Sequence, residues 1–314
     1  MKIKKLLYFS GVKLNSLNLQ ILEKKINVIK INSIKDSKKL KHAKKLEIFS
    51  IYCDQNFFYS SEFLKLFPNL KYLISSTTAT TFIDEKFCKK NKIQIISLEN
   101  DTKFLKTITS TAEHALGLIL MISRKYLPSI KSIEKKEFNR RPFGGYKMLS
   151  KSNLGIIGYG RLGKILKKIS KNIFHKIYFA DNKSKKIIFK RQLKNIFEKC
   201  DFISIHIPAK ENFGFFNKKN FPKFRKKFFL INTSRGEVIN ENFVLDLLKK
   251  RKILGYATDV LKDEFTENFK LSKNLLFKNR KKYNILITPH IGGSTLDAWN
   301  LTEKRVINRF IKKI

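Results

Sequence analysis

Asn153–Asp181 reads NLGIIGYGRLGKILKKISKNIFHKIYFAD: an apolar strand, a glycine-rich turn, an amphipathic run and a second strand closed by an acid. Leu154, Ile156 and Ile157 make the buried strand, and Leu162, Ile165, Leu166 and Ile169 recur at helical spacing. Between them Gly158 permits a tight turn, Gly160 lets the backbone approach a pyrophosphate, and Gly163 lets the helix close on the strand. A helix that starts here aims its N-terminus at the phosphates, whose negative charge its unpaired N–H groups favour. Asp181 follows Gly163 by 18 residues, where a carboxylate can hydrogen-bond a ribose 2′-hydroxyl. A 2′-phosphate would be repelled by that acid, so the pattern predicts NAD rather than NADP. Glycine spacing alone would say little; the strand before it and the helix after it predict a Rossmann turn in mid-chain.

Upstream of the turn, KKLLYFS, Ser16–Lys25, NVIKINS and a lysine-rich helix lead to LEIFSIY, Ser60–Phe67, LKYLISS, Asp84–Lys90 and KIQIISL. Five strands alternating with short helices predict a small parallel-sheet domain. Thr109–Arg124, TSTAEHALGLILMISR, is apolar around more of its surface than a one-sided helix needs, which predicts a buried crossover helix. His114 on that helix reads as a packing histidine rather than a catalytic one. Downstream, strands are expected to end at Gly158, Asp181, His206, Asn232, Thr258 and Thr288, and an amphipathic helix from Ser294 returns to the first domain. The predicted fold is α/β, with two doubly wound parallel sheets. A Rossmann NAD-binding domain, residues 104–288, is inserted into a flavodoxin-like substrate domain made of residues 1–103 and 289–314.

A chain of 314 residues has room for two such domains, and a hydrophobic fraction of 42% supports packed cores. No run approaches the roughly 18 apolar residues of a membrane span. The opening MKIKKLLYFSG has too short an apolar part for a signal peptide and lacks a small-residue cleavage site, so Ile3–Phe9 reads as the first strand. Cys53, Cys88 and Cys200 are odd in number and lack metal-ligand spacing, which predicts no metal site and suits a reducing cytoplasm. The formal charge of +42 is spread from Lys4-Lys5 to Lys312-Lys313 with no basic arm. Lysine, isoleucine, asparagine and phenylalanine share codons rich in A and T, so compositional drift accounts for the excess, and nucleic acid is not the expected partner. The field should still draw small anions.

Three further strand ends carry chemistry. FFLINTSRG brings Arg235, GYATDVLKDE brings Asp259 and Glu264, and ILITPHIGGST brings His290. Reduction of a 2-keto acid needs a cation for the carboxylate, a proton donor at the ketone and a hydride. A guanidinium fork matches a carboxylate, so Arg235 suits the first task. An imidazole titrates near neutral pH, so His290 suits the second, and Glu264 would hold one tautomer of its ring. Asp259 would sit by the nicotinamide carboxamide.

With these motifs the chain resembles the D-isomer-specific 2-hydroxyacid dehydrogenases over nearly its whole length, most specifically in GYGRLG, INTSRGEVIN, ATDV and TPHIGGST, with TAEHALGLIL and CDFISIHIP in support. The resemblance implies that Arg235, Glu264 and His290 form the catalytic set. It places NAD against Arg161, Leu162, Asp181, His206, Pro208, Thr233, Asp259 and Gly292, and implies a homodimer built on the nucleotide domain with a cleft that closes on a small 2-keto or 2-hydroxy acid. It also assigns substrate-carboxylate donors to Ser76-Thr77-Thr78-Ala79, where the family usually has a glycine before the segment ending Ile83-Asp84. If that position needed a positive φ, Ala79 would be strained by about 1–2 kcal/mol.

Members that act on phosphoglycerate carry arginines near this loop and after the third strand. This chain has Ser75 and Tyr52, which favours an unphosphorylated acid. The competing reading, a D-3-phosphoglycerate dehydrogenase of serine synthesis, would draw on Arg140, Arg141 or Lys147. Phe265 stands where a proline usually follows the glutamate, the segment from Glu264 to His290 is slightly long, and no regulatory domain is expected after the last helix. A reading of another class, a non-catalytic NAD-binding scaffold with a protein or nucleic-acid partner, is motivated by the charge. A scaffold has no physical need for Glu264 beside His290.

Overall fold

In the computed structural model, which describes residues 5–9, 14–31, 47–181, 184–220, 226–266 and 268–314, the apolar runs before residue 100 become strands β1 (Lys5–Phe9), β2 (Asn27–Ile31), β3 (Ile48–Tyr52), β4 (Tyr72–Ile74) and β5 (Gln94–Ile96). All pair in parallel in the order β2-β1-β3-β4-β5, the flavodoxin-like arrangement. Asn15, Ser60 and Asp84 accept backbone N–H groups at the starts of helices Ser16–Glu23, Ser61–Leu64 and Glu85–Lys90, which fixes where each crossover begins. The lysine-rich helix expected after β2 and the first residues of the opening strand lie outside the described residues.

Helix Leu296–Ile311 belongs to this same unit. Its Val306, Ile307 and Phe310 are fully buried in one cluster with Leu6, Leu22, Tyr52 and Ile74. Arg305 Nε donates to Asp101 Oδ2 at 2.6 Å, and Glu303 Oε2 accepts from Asn15 N and Asn18 Nδ2. The unit takes in the chain to Leu105, Phe265–Asn268 and Ser294–Ile314.

The second unit, Lys106–Glu264 with Phe269–Gly293, is a six-stranded parallel sheet in the order β11-β10-β9-β8-β6-β7. Its strands are β6 (Asn153–Ile157), β7 (Lys176–Ala180), β8 (Phe202–Ile205), β9 (Phe229–Asn232), β10 (Gly255–Thr258) and β11 (Ile285–Ile287). Every residue of β8, β9 and β10 is buried, the polar Ser204, Asn232 and Thr258 included, because helices cover both faces. One face is packed by Ala112, Ala115, Leu118, Ile119 and Ile122 of helix Ser110–Ser123 with Leu166. The other is packed by Leu193, Ile196 and Phe197 of helix Lys186–Lys199 and by Val244, Leu245 and Leu248 of helix Glu241–Lys249. The chain reverses direction across the sheet between β6 and β8, which opens a crevice beyond their carboxyl ends.

Pro289–Gly293 belongs to this second unit, not to the first as expected, because Asp259 at the end of β10 grips that loop with its carboxylate. Among the described residues, no helix is long and apolar enough to cross a membrane, no cluster of His, Cys, Asp and Glu could hold a metal ion, and the three cysteines are buried free thiols.

Candidate active site

At the end of β6 the chain turns with Gly158 at φ 97°, so close to β8 that a Cβ there would stand 2.6 Å from the carbonyl oxygen of His206. A Cβ on Gly163 would strike the Gly158 carbonyl oxygen. Gly160 differs: a Cβ there meets nothing within 4 Å, and no side chain caps helix Arg161–Ser170. The turn therefore presents a helix N-terminus without a side-chain cap to open space, a cradle with the chemistry of a pyrophosphate site. Two neighbouring strand ends carry polar atoms that are buried with no partner among the described residues, His206 Nδ1 after β8 and Thr233 Oγ1 after β9. Each such atom costs about 1–3 kcal/mol while unsatisfied, a cost that a polar ligand relieves. Arg161 Nη1 donates to Ile108 O at 3.3 Å, and burial lowers the guanidinium pKa. Leu162 is half-buried, Pro208 is exposed beyond β8, and Asp181 follows β7 directly with its N–H held by Gln192 Oε1 at 3.1 Å. The residues present fit a dinucleotide.

His206 also makes the unit acid-sensitive. Its Nε2 lies 2.8 Å from Ser204 Oγ, and burial pushes its pKa down to about 4. An unfolded histidine titrates near 6.5, so below that pH the unfolded chain takes up a proton that the folded chain refuses until about 4. Stability is therefore whole above 6.5 and lost as pH falls toward 4, by about 2 kcal/mol at pH 5. Asp201 and Asp259, whose pKa values are held low, act only below the ordinary aspartate range, so they do not contribute in this window. Urea midpoints at pH 7.5 and 5 should fall further apart for the wild type than for His206→Asn; equal shifts would refute the assignment.

The second cluster lies at the ends of β9, β10 and β11. Asn232 Oδ1 accepts from Ser234 N and Oγ while its Nδ2 donates to Arg235 O, and Arg235 Nη1 donates to Ser234 O at 2.7 Å. The strand end thus fixes the arginine. Burial lowers the Arg235 pKa, and the negative charges of Glu264 and Glu237 oppose that shift, which puts the guanidinium in the field of Glu264. Glu264 accepts from Leu261 N through Oε2 at 3.2 Å, and its Oε1 lies 2.8 Å from His290 Nδ1. His290 sits at φ 54°, a left-handed conformation uncommon outside glycine, with its N–H shared by Asp259 O and Thr288 O.

Asp259 was expected against the cofactor. Its carboxylate, with the side chain only 2% exposed, accepts from Thr288 Oγ1, Ile291 N and Gly292 N, and His114 Nε2 is 3.3 Å away. Burial opposes the charge, but the hydrogen bonds from His114, Thr288, Gly292 and Ile291 outweigh it and hold the pKa below the usual carboxylate value. His114 Nε2 also lies 3.0 Å from Thr288 Oγ1. These two residues join the cluster without a motif to announce them: His114 reads as helix packing, and Thr288 as the end of a strand.

Ser76–Ala79 lies in the first unit. Ser75 Oγ contacts Thr77 Oγ1 at 2.7 Å, and Thr77 Oγ1 donates to Ala79 O. None of Ser76, Thr77, Thr78 and Ala79 has a positive φ, so alanine there carries no left-handed strain. Tyr52 and Ser75 are 0% and 1% exposed. In the second unit, Lys147 Nζ is engaged at 3.0 Å by Asp201, while Arg140 and Arg141 are exposed at the turn Arg141–Phe143.

Residues 116–292 match the family described as D-isomer specific 2-hydroxyacid dehydrogenase, NAD binding domain. D-3-phosphoglycerate dehydrogenase of Haemophilus influenzae is 29% identical over 208 residues, 65% of this chain and 50% of that protein, so the chain spans half the length of that relative. Glyoxylate reductase of Thermococcus litoralis is 28% identical over 251 residues, 76% of this chain and 72% of that one. Among solved structures, D-lactate dehydrogenase of Aquifex aeolicus, complexed with NAD and lactic acid, superposes with a TM-score of 0.73 at 23% identity over 98% of this chain and 96% of that one.

Proposed function

The chain belongs to the D-isomer specific 2-hydroxyacid dehydrogenase family, and we propose that it interconverts a small, unphosphorylated D-2-hydroxy acid and its 2-keto acid with NAD. The observation that carries this reading is the 2.8 Å contact between His290 Nδ1 and Glu264 Oε1, made in the field of Arg235 on the NAD-binding unit. An ionised carboxylate only accepts, so Glu264 keeps the proton on Nδ1 and leaves Nε2 to exchange a proton with the substrate oxygen. Arg235 holds the substrate carboxylate through its fork. Gly158, Gly160, Gly163, Arg161, Leu162, Asp181, His206, Pro208, Thr233, Asp259 and Gly292 hold the dinucleotide, which supplies or takes the hydride when bound. Glu264 stabilises the charged ring that donates, and as the keto acid is reduced the carbonyl oxygen gains its Nε2 proton and leaves a neutral imidazole.

Tyr52 and Ser75 carry no positive charge, and Lys147 is engaged by Asp201, which supports the unphosphorylated class. NADH oxidation with glyoxylate, hydroxypyruvate, pyruvate, phenylpyruvate and 3-phosphohydroxypyruvate tests the reading. Turnover is expected with at least one of the first four and weaker with the last. Protein that binds NADH but turns over none of them would reject the enzyme assignment, and preference for the phosphorylated acid would reject the substrate class.

A further inference from the structure

We propose that His114 and Thr288 are positioning residues for His290, acting through Asp259 rather than serving as packing. The inference rests on the reading of His290 as the proton donor in keto-acid reduction.

The direction of the hydrogen bonds follows from which atoms can donate. The Asp259 carboxylate only accepts, and Thr288 Oγ1 lies 2.6 Å from its Oδ1, so the one hydroxyl proton of Thr288 is spent there. At its 3.0 Å contact with His114 Nε2 the threonine oxygen must then accept, which puts a proton on that nitrogen. The result is a one-way chain from the His114 N–H to the Thr288 O–H to Asp259. His114 Nε2 also stands 3.3 Å from Asp259 Oδ1, and the carboxylate further accepts from Ile291 N at 2.9 Å on Oδ1 and Gly292 N at 2.7 Å on Oδ2.

These contacts bracket His290 on both sides. The Asp259 backbone oxygen adds a third hold by accepting from His290 N at 2.9 Å. A left-handed non-glycine residue costs roughly 1–2 kcal/mol and persists only where its surroundings over-determine it. Here they do, and the reward is an imidazole delivered to Glu264. Gly292 permits the assembly, because a Cβ there would stand 2.8 Å from Asp259 Oδ2 and 3.5 Å from His114 Cδ2. A side chain needed only to fill space beside Gly292 would not have to donate a proton. A positioning role requires that donor.

The test compares His114→Leu, His114→Gln and Thr288→Val with the wild type in NADH-dependent reduction of whichever 2-keto acid the wild type turns over fastest. Displacing a reacting group by about an ångström costs on the order of 100-fold, so kcat is expected to fall about 10- to 100-fold in the Leu and Val variants. KM for the acid should stay within about two-fold, and His114→Gln, which keeps an N–H donor, should recover most of the loss. In parallel, nitrogen-15 histidine NMR follows the His290 Nδ1–H signal, identified by its absence from His290→Gln. It should broaden or vanish in His114→Leu and persist in His114→Gln. Wild-type kcat and an unchanged signal in His114→Leu would overturn the inference, as would a Gln variant as impaired as Leu. Should the wild type reduce no keto acid, the enzymatic reading fails, while the NMR comparison still decides whether His114 orients the ring.

Discussion

His290→Gln is expected to lower kcat for 2-keto acid reduction by about 10²- to 10⁴-fold, the contribution typical of a general acid, while NADH binding and KM for the acid change little. The reasoning is chemical rather than steric. Glutamine can still donate an N–H to Glu264 Oε1, now 2.8 Å from His290 Nδ1, so the loop keeps its anchor and the fold its stability. What disappears is a group able to release a proton to the substrate oxygen. Steady-state kinetics check the statement; a kcat within about three-fold of wild type would remove His290 from the mechanism.

Where the determinants are local, the sequence is explicit. Gly158 and Gly163 announce a turn whose backbone passes too close to its neighbours for any side chain, and the apolar runs of β8, β9 and β10 stop where polar residues begin. Where they are not local, it is silent. His114 and Thr288 are 174 residues apart, and the histidine lies among Ala112, Ala115 and Leu118, so helical periodicity assigns it to packing. The engagement of Lys147 by Asp201, 54 residues away, is equally invisible, which is why that lysine reads as a spare cation for a phosphate. Pro289–Gly293 reads as part of the first unit for the same reason: the expected strand end at Thr288 suggests a break, but the loop is held to β10 by the Asp259 carboxylate, whose partners beyond Thr288 are backbone N–H groups without a residue signature.

Arg235→Lys is expected to reduce kcat/KM for the keto acid by roughly 10- to 150-fold, with most of the loss in KM and little change in NADH affinity. Charge-assisted hydrogen bonds are worth about 1.5–3 kcal/mol each, and a lysine retains the charge while losing the paired geometry. The site makes that geometry matter. Arg235 already commits Nη1 to the carbonyl of Ser234 at 2.7 Å, so the guanidinium is held by its own backbone before substrate arrives and little entropy is lost on binding. An ammonium on a flexible stem would have to find both the carbonyl and the carboxylate, and would be free to turn toward Glu264, the acid already shared with His290. Competition for that carboxylate would loosen the imidazole as well, adding a smaller loss in kcat to the larger one in KM. Kinetics on the Lys and Gln variants separate the two effects: Gln, with neither charge nor fork, should lose more binding than Lys while sparing Glu264. Wild-type kcat/KM in Arg235→Lys would mean that the substrate carboxylate is held elsewhere.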